Sequence, residues 1–242
     1  MMCLRRSGRI VLPVAAILFA ALPFVLQAPS RATGAEGSPE AKGAAAPVSI
    51  EGLWSPLEIL AFRKGFLKDF RRIGLNTTPG EAAFLRVLVE SSKAQRGVEI
   101  GTATGYGAVA MGMGFEHTGG HLTTIDIDPK MVQTARENIA KAGLSKTVTA
   151  VEGDALKAIP QLEGKFDFVF IDAVKRDYFK YFKALQPMLK PGAVIVADNV
   201  IRSAGEMRDF LDAMEKDPDF DLQIIRCSDE KGDGMAVICK LK

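Results

Sequence analysis

Three aspartates, Asp126, Asp172 and Asp198, each close a short apolar run, and Asn199 directly follows the last of them. Three such endings exceed what solubility demands, and they direct attention to one edge of the fold. Two carboxylates and one amide carbonyl, from Asp172, Asp198 and Asn199, form an oxygen set suited to a hard divalent ion. Mg²⁺ fits first, with Ca²⁺ or Mn²⁺ as substitutes. The plainer reading of the same aspartates is loop capping. Lys175 stands three residues past Asp172, close to where an oxygen bound by such an ion would lie. A lysine is ordinarily a solvated charge, and becomes a base only when burial or a neighbouring cation favours its neutral form. His117 and His121 read as solvated residues of a loop, since no acidic or thiol partner stands at ligand spacing.

A second constellation lies upstream, in Glu99-Ile100-Gly101-Thr102-Ala103-Thr104-Gly105-Tyr106-Gly107. It reads as a strand running through a glycine turn into a helix. Glycines serve where the backbone takes positive φ or must touch a ligand without a Cβ between them. The Gly-x-x-x-Gly-x-Gly spacing differs from the Gly-x-Gly-x-x-Gly that seats a pyrophosphate, which argues against a nicotinamide oxidoreductase. Asp126 closes the next apolar run, where a carboxylate can accept both ribose hydroxyls. Together these point to an adenosine-bearing ligand without a pyrophosphate.

The elements that must position these residues follow from periodicity. Ile59, Phe62, Phe66, Phe70 and Ile73 recur at helical spacing and predict one amphipathic helix, with a second over about 79–92. Apolar runs at 97–101, 121–126, 147–152, 166–172 and 193–198 then alternate with helix-like segments starting near Gly105, Pro129, Ala155, Lys175 and Ala204. That alternation predicts an α/β, doubly wound, mostly parallel sheet covered on both faces. Residues 221–227 and 235–241, joined by a polar turn, predict a terminal antiparallel hairpin. In such sheets ligands sit beyond the carboxyl ends of the strands, where the aspartates fall. Tyr178, Phe182, Leu185 and Leu189 have helical spacing and read as core.

The chain has 242 residues, 31 basic and 29 acidic, with a net charge of +2. So even a balance excludes a dedicated nucleic-acid binder, which needs a broad basic field. The excess is local. Arg5, Arg6, Arg9, Arg31 and Lys42 face only Glu36 and Glu40 within residues 1–47, so the rest holds 26 basic and 27 acidic groups. Arg5, Arg6 and Arg9 precede an uncharged apolar run from Ile10 to Leu26, the pattern of a signal peptide over residues 1–35, with an uncleaved membrane anchor as the competing reading. Either reading places the remainder of the chain outside the cytoplasm, and a misassigned start would leave it inside. Residues 36–47 read as a flexible tether and 48–242 as the catalytic domain; membrane contact is expected only through the N-terminal segment. Cys227 and Cys239 lie in strand-like runs and read as buried free thiols.

The segment Val98-Glu99-Ile100-Gly101-Thr102-Ala103-Thr104-Gly105-Tyr106 resembles the first motif of S-adenosylmethionine-dependent O-methyltransferases of the catechol and caffeoyl-CoA type. The likeness continues, in family order, through Thr124-Ile125-Asp126-Ile127-Asp128-Pro129, Glu152-Gly153-Asp154-Ala155, Phe168-Val169-Phe170-Ile171-Asp172-Ala173-Val174-Lys175 and Asp198-Asn199-Val200. The resemblance implies a seven-stranded Rossmann-like methyltransferase fold and S-adenosylmethionine as cofactor. Glu99 and Gly101 would line its methionine part and Asp126 its ribose; Asp154 with Ala155 would meet the adenine, and Gly105 would shape the turn. It also implies Lys175 as general base, a small phenolic acceptor with vicinal hydroxyls, and a homodimer. Gly107 departs from the pattern, since relatives often carry Ser there beside the methionine carboxylate. A non-catalytic protein that keeps only the adenosyl site is the alternative.

Overall fold

Runs rich in Val, Ile and Phe, each followed by a helix-forming segment, bury both their faces only when the strands lie side by side under helices. The computed structural model describes residues 54–242 and has this architecture. Its strands are β1 (Arg96–Ile100), β2 (His121–Asp126), β3 (Val148–Glu152), β4 (Phe166–Ile171), β5 (Leu189–Ala197), β6 (Phe220–Ser228) and β7 (Asp233–Lys240). The sheet order is β3-β2-β1-β4-β5-β7-β6. β1 to β5 pair in parallel, and β7 enters antiparallel between β5 and β6. Because the chain moves outward from β1 to β3 and returns to the other side with β4, a crevice opens beyond the carboxyl ends of β1 and β4, where the connections that follow them part.

Among the described residues seven α-helices accompany the sheet: α1 (Pro56–Lys68), α2 (Pro79–Ser91), α3 (Tyr106–Thr118), α4 (Pro129–Lys141), α5 (Ala155–Ala158), α6 (Tyr178–Leu185) and α7 (Arg208–Lys216). α1 and α2 open on full capping boxes, Ser55 with Glu58 and Thr78 with Glu81, each followed by proline at the first helical position. Period-two alternation divides the core between the two faces. In β4, Val169 and Ile171 pack with Tyr178, Phe182 and Phe210, whereas Phe168 and Phe170 pack with Leu85, Met111 and Phe115. Buried Arg63 holds α1 in place, donating from Nε to Ala142 O at 2.9 Å and from Nη2 to Glu116 Oε1 at 2.9 Å.

The structure moves several expected boundaries. The first helix stops at Lys68, so Phe70 and Ile73 lie beyond it: Asn76 Oδ1 accepts from Ile73 N at 2.9 Å and organises a turn there instead. The segment from Lys175 is a single 3-10 turn before α6, and the one from Ala204 becomes helical only at Arg208. Leu189 opens β5 rather than continuing a helix, because a 3-10 turn containing Pro187 has already ended it. His117 belongs to the last turn of α3, and His121 begins β2 with its ring against Thr149 Oγ1 at 3.0 Å. Cys227 and Cys239 are free as expected, but half-buried rather than buried. The leader and tether expected over 1–35 and 36–47 lie outside the described residues. Among the described residues no helix is long and apolar enough to cross a membrane.

Candidate active site

The turn after β1 is built on glycine for a steric reason. Gly101 has φ 97°, and a Cβ there would lie 1.9 Å from the Asp172 carbonyl oxygen. Only a bare backbone lets this turn touch the end of β4, where Asp172 N donates to Ile100 O at 2.8 Å. Gly105, at φ 88°, starts α3 with its missing Cβ 3.1 Å from Ala135 Cα. Between them Ala103 sits at φ 45°, a conformation that costs a non-glycine residue about 1–2 kcal/mol. The Asp126 carboxylate offsets that cost. Its Oδ2 accepts from Thr102 N at 3.1 Å and Ala103 N at 2.8 Å, and its Oδ1 from Asp128 N at 2.9 Å.

These residues face a cleft of about 650 Å³, a volume typical of small-molecule sites. Gly101, Asp126, Asp154 and Ala155 line it, with Ile100, Ile125 and Ile127 as apolar walls. Asp154 caps α5 by accepting from Leu156 N at 3.0 Å, which fixes it beside Ala155. Gly74 and Leu75 cover the cleft from the segment between α1 and α2. Asp172, Lys175, Asn199, Tyr181 and Lys231 line it too, so the cleft spans the glycine turn and the edge formed by β4 and β5. The sequence reading passed over Tyr181 and Lys231.

Glu99 does not line this cleft. It is buried behind the turn, with Oε2 lacking any hydrogen-bond partner. Burial, and then the nearby charges of Asp172 and Asp126, push its pKa up to about 8 against the pull of a hydrogen bond with Thr124. A Cβ on Gly107 would stand 3.0 Å from Glu99 Oε1 and 3.2 Å from Thr77 Oγ1, so a serine at that position would crowd both. Thr77 Oγ1 and Asn76 Nδ2 are also buried without partners, while Asn76 Oδ1 accepts from Thr104 Oγ1 at 2.8 Å. These unsatisfied groups form a polar recess behind the turn, and unpaired buried groups usually mark a site completed by something else. In the sequence, Asn76 and Thr77 look like ordinary residues before a helix cap.

Beside the turn the aspartates converge. β4 and β5 are parallel neighbours with Ile171 opposite Ala197, so Asp172 and Asp198 emerge side by side. Asp198 is fully buried and neither carboxylate oxygen has a hydrogen bond. Its burial, reinforced by Asp172 and Glu81 and opposed by Lys231, pushes its pKa up to about 7. Asn199 takes φ 61° and donates from Nδ2 to Asp233 Oδ2 at 3.3 Å, which leaves its carbonyl oxygen for another partner. Lys175 Nζ donates to Asp172 Oδ1 at 2.8 Å and to the Tyr178 hydroxyl at 2.8 Å, and that hydroxyl donates to Asp198 O at 3.3 Å. Tyr178 is thus core by its ring, as its spacing suggested, and part of the site by its hydroxyl.

Two unsatisfied oxygens on one buried carboxylate, a second carboxylate beside it and a free amide carbonyl suit a hard divalent ion. Among the described residues no group of three or more His, Cys, Asp or Glu is placed to hold a metal. The oxygen set here has two carboxylates and an amide.

Comparisons with known proteins fall on the same region. Residues 61–230 match the O-methyltransferase family. A catechol O-methyltransferase of Mycobacterium tuberculosis is 35% identical over 182 residues, spanning 70% of this chain and 81% of that one. A catechol O-methyltransferase of Niastella koreensis is 38% identical over 132 residues, spanning 53% of this chain and 59% of the relative, which is less than two thirds of its length. Among solved structures, an O-methyltransferase from Bacillus cereus in complex with SAH is similar with a TM-score of 0.67 and 26% identity, covering 79% of this chain and 94% of that one.

Proposed function

The chain belongs to the O-methyltransferase family, and from that premise we propose that it moves a methyl group from S-adenosylmethionine to one hydroxyl of a small vicinal diol, with a divalent metal ion. The acceptor class is catechol-like or hydroxycinnamoyl-like. Asp126 would take the ribose and Asp154 with Ala155 the adenine. Glu99, in the polar recess behind the glycine turn, would meet the methionine end of a ligand that reaches past that turn. Asp172, Asp198 and Asn199 would hold the ion, Mg²⁺ first, with Ca²⁺ or Mn²⁺ in its place. Such an ion supplies Lewis acidity, which lowers the pKa of an acceptor hydroxyl.

The chain's own residues account for the rest. Lys175, held by Asp172 Oδ1 and the Tyr178 hydroxyl, would in its neutral amine form take the hydroxyl proton at Nζ. Attack by the oxyanion on a sulfonium methyl cancels opposite charges, so the larger contribution is the alignment of oxygen, methyl and sulfur. The cleft supports that alignment, because Asp126, Asp172, Lys175 and Asn199 all line it. The observation that carries this reading is Asp198, whose two buried oxygens lack any hydrogen bond beside the Asp172–Lys175 pair.

The test is methyl transfer from S-adenosylmethionine to a generic catechol, with and without a strong chelator. Activity lost on chelation and restored by Mg²⁺ is expected. Turnover that persists after complete metal removal overturns the metal assignment, and cofactor binding with no turnover on any phenolic acceptor favours the non-catalytic alternative.

A further inference from the structure

Glu81 and Asp198 are both fully buried carboxylates, and one ammonium serves the two. Lys231, in the turn between β6 and β7, places Nζ 3.1 Å from Glu81 Oε2 and 3.5 Å from Asp198 Oδ2. The second lysine of the site is committed elsewhere, with Lys175 Nζ on Asp172 Oδ1 at 2.8 Å. Even with Lys231 in position, Glu81 Oε1 and both oxygens of Asp198 have no hydrogen bond. Two buried carboxyl groups therefore share one tethered positive charge, on a lysine that also lines the cleft.

A cation arriving at Asp172, Asp198 and Asn199 meets an ammonium already beside Asp198. Like charges on one buried carboxylate repel strongly, because little solvent screens them. We propose that Lys231 is a built-in rival of the divalent ion: together with Glu81 it balances Asp198 when no ion is bound, and so weakens the site's affinity for divalent cations. The proposal rests on the metal assignment made above. Lys231 acts through Asp198 and is a residue that sets affinity rather than a catalytic one. Because Glu81 belongs to α2 and Lys231 to the β6–β7 turn, ion binding would also loosen the tie between those two elements.

The test is calorimetric titration of Mn²⁺ into the full chain without cofactor or acceptor. Lys231→Met should bind Mn²⁺ about tenfold more tightly than wild type, the scale expected when one nearby like charge is removed. Lys231→Arg, which keeps the charge, should stay near wild type. Glu81→Gln preserves the capping box of α2 and gives a second measurement that does not depend on the folding of the lysine variant. It should bind about tenfold more weakly, because Lys231 is then left to Asp198 alone. Unchanged or weaker binding by folded Lys231→Met overturns the competition while wild-type binding keeps the metal assignment, and unchanged binding by Glu81→Gln overturns it equally. No Mn²⁺ binding in wild type or any variant overturns both readings together.

Discussion

Cofactor binding should expel a proton from Glu99. With a pKa of about 8, this carboxyl is about nine-tenths protonated at pH 7 in the cofactor-free protein. The methionine end of the cofactor carries an ammonium, and an opposite charge against a buried carboxyl favours its ionised form. Return of Glu99 to its ordinary value of 4.5 releases about 0.9 proton per molecule bound at pH 7. Only the ionised form accepts the ligand well, so affinity should rise about tenfold per pH unit between about 5 and 8 and then level off. The stability of the cofactor-free protein runs the other way. A carboxyl whose folded pKa is raised contributes stability that is full below about 4.5 and is lost as pH rises through about 8, on the order of 5 kcal/mol at most. The assay is calorimetry with S-adenosylhomocysteine at pH 7 in two buffers of different ionisation enthalpy, without metal. The apparent binding enthalpies should differ by about 0.9 of the buffer difference, and Glu99→Gln should abolish that dependence. Identical heats in both buffers for the wild type, or undiminished proton release by Glu99→Gln, would refute the reasoning.

Three further outcomes are expected. Asp172→Ala should abolish methyl transfer while leaving S-adenosylhomocysteine affinity within several-fold, as read by calorimetry beside a melting curve that confirms folding. Gly101→Ala forces a Cβ to within 1.9 Å of a backbone oxygen at a φ of 97°, and should cost more than about 3 kcal/mol in urea unfolding and eliminate cofactor binding. Leu85→Ala removes a fully buried side chain from the packing between α2 and the sheet, and should cost about 2–5 kcal/mol with the acceptor specificity unchanged.

The sheet was legible in the sequence because each strand carries its own evidence. The run from Phe166 to Ile171 is apolar on both faces, as only a strand covered on both sides requires, and the aspartate after it announces the open edge. The candidate metal set was legible for the same reason, since Asp172 and Asp198 follow strands that pair directly. Long-range pairings left no such mark. Glu81 looks like a capping residue and Lys231 like a charge in a polar turn, and only the return of the β6–β7 hairpin over α2 brings them together. Helix ends were also hidden where a turn outcompetes the apolar period, as at Asn76, or where a 3-10 turn intervenes, as before Tyr178.

The missing side chain at Gly101 bears on how such a protein can change acceptors. The turn proposed to carry the adenosyl ligand and the strand end that carries Asp172 meet through main-chain atoms. On the proposed function, the separation between methyl donor and acceptor would then be set by covalent geometry and sheet register. Substitutions at Leu75, Val174 or Tyr181 along the cleft can reshape what enters without disturbing the reaction distance. Selection of the acceptor and the reach of the methyl transfer are separable traits in this chain, free to evolve on different residues.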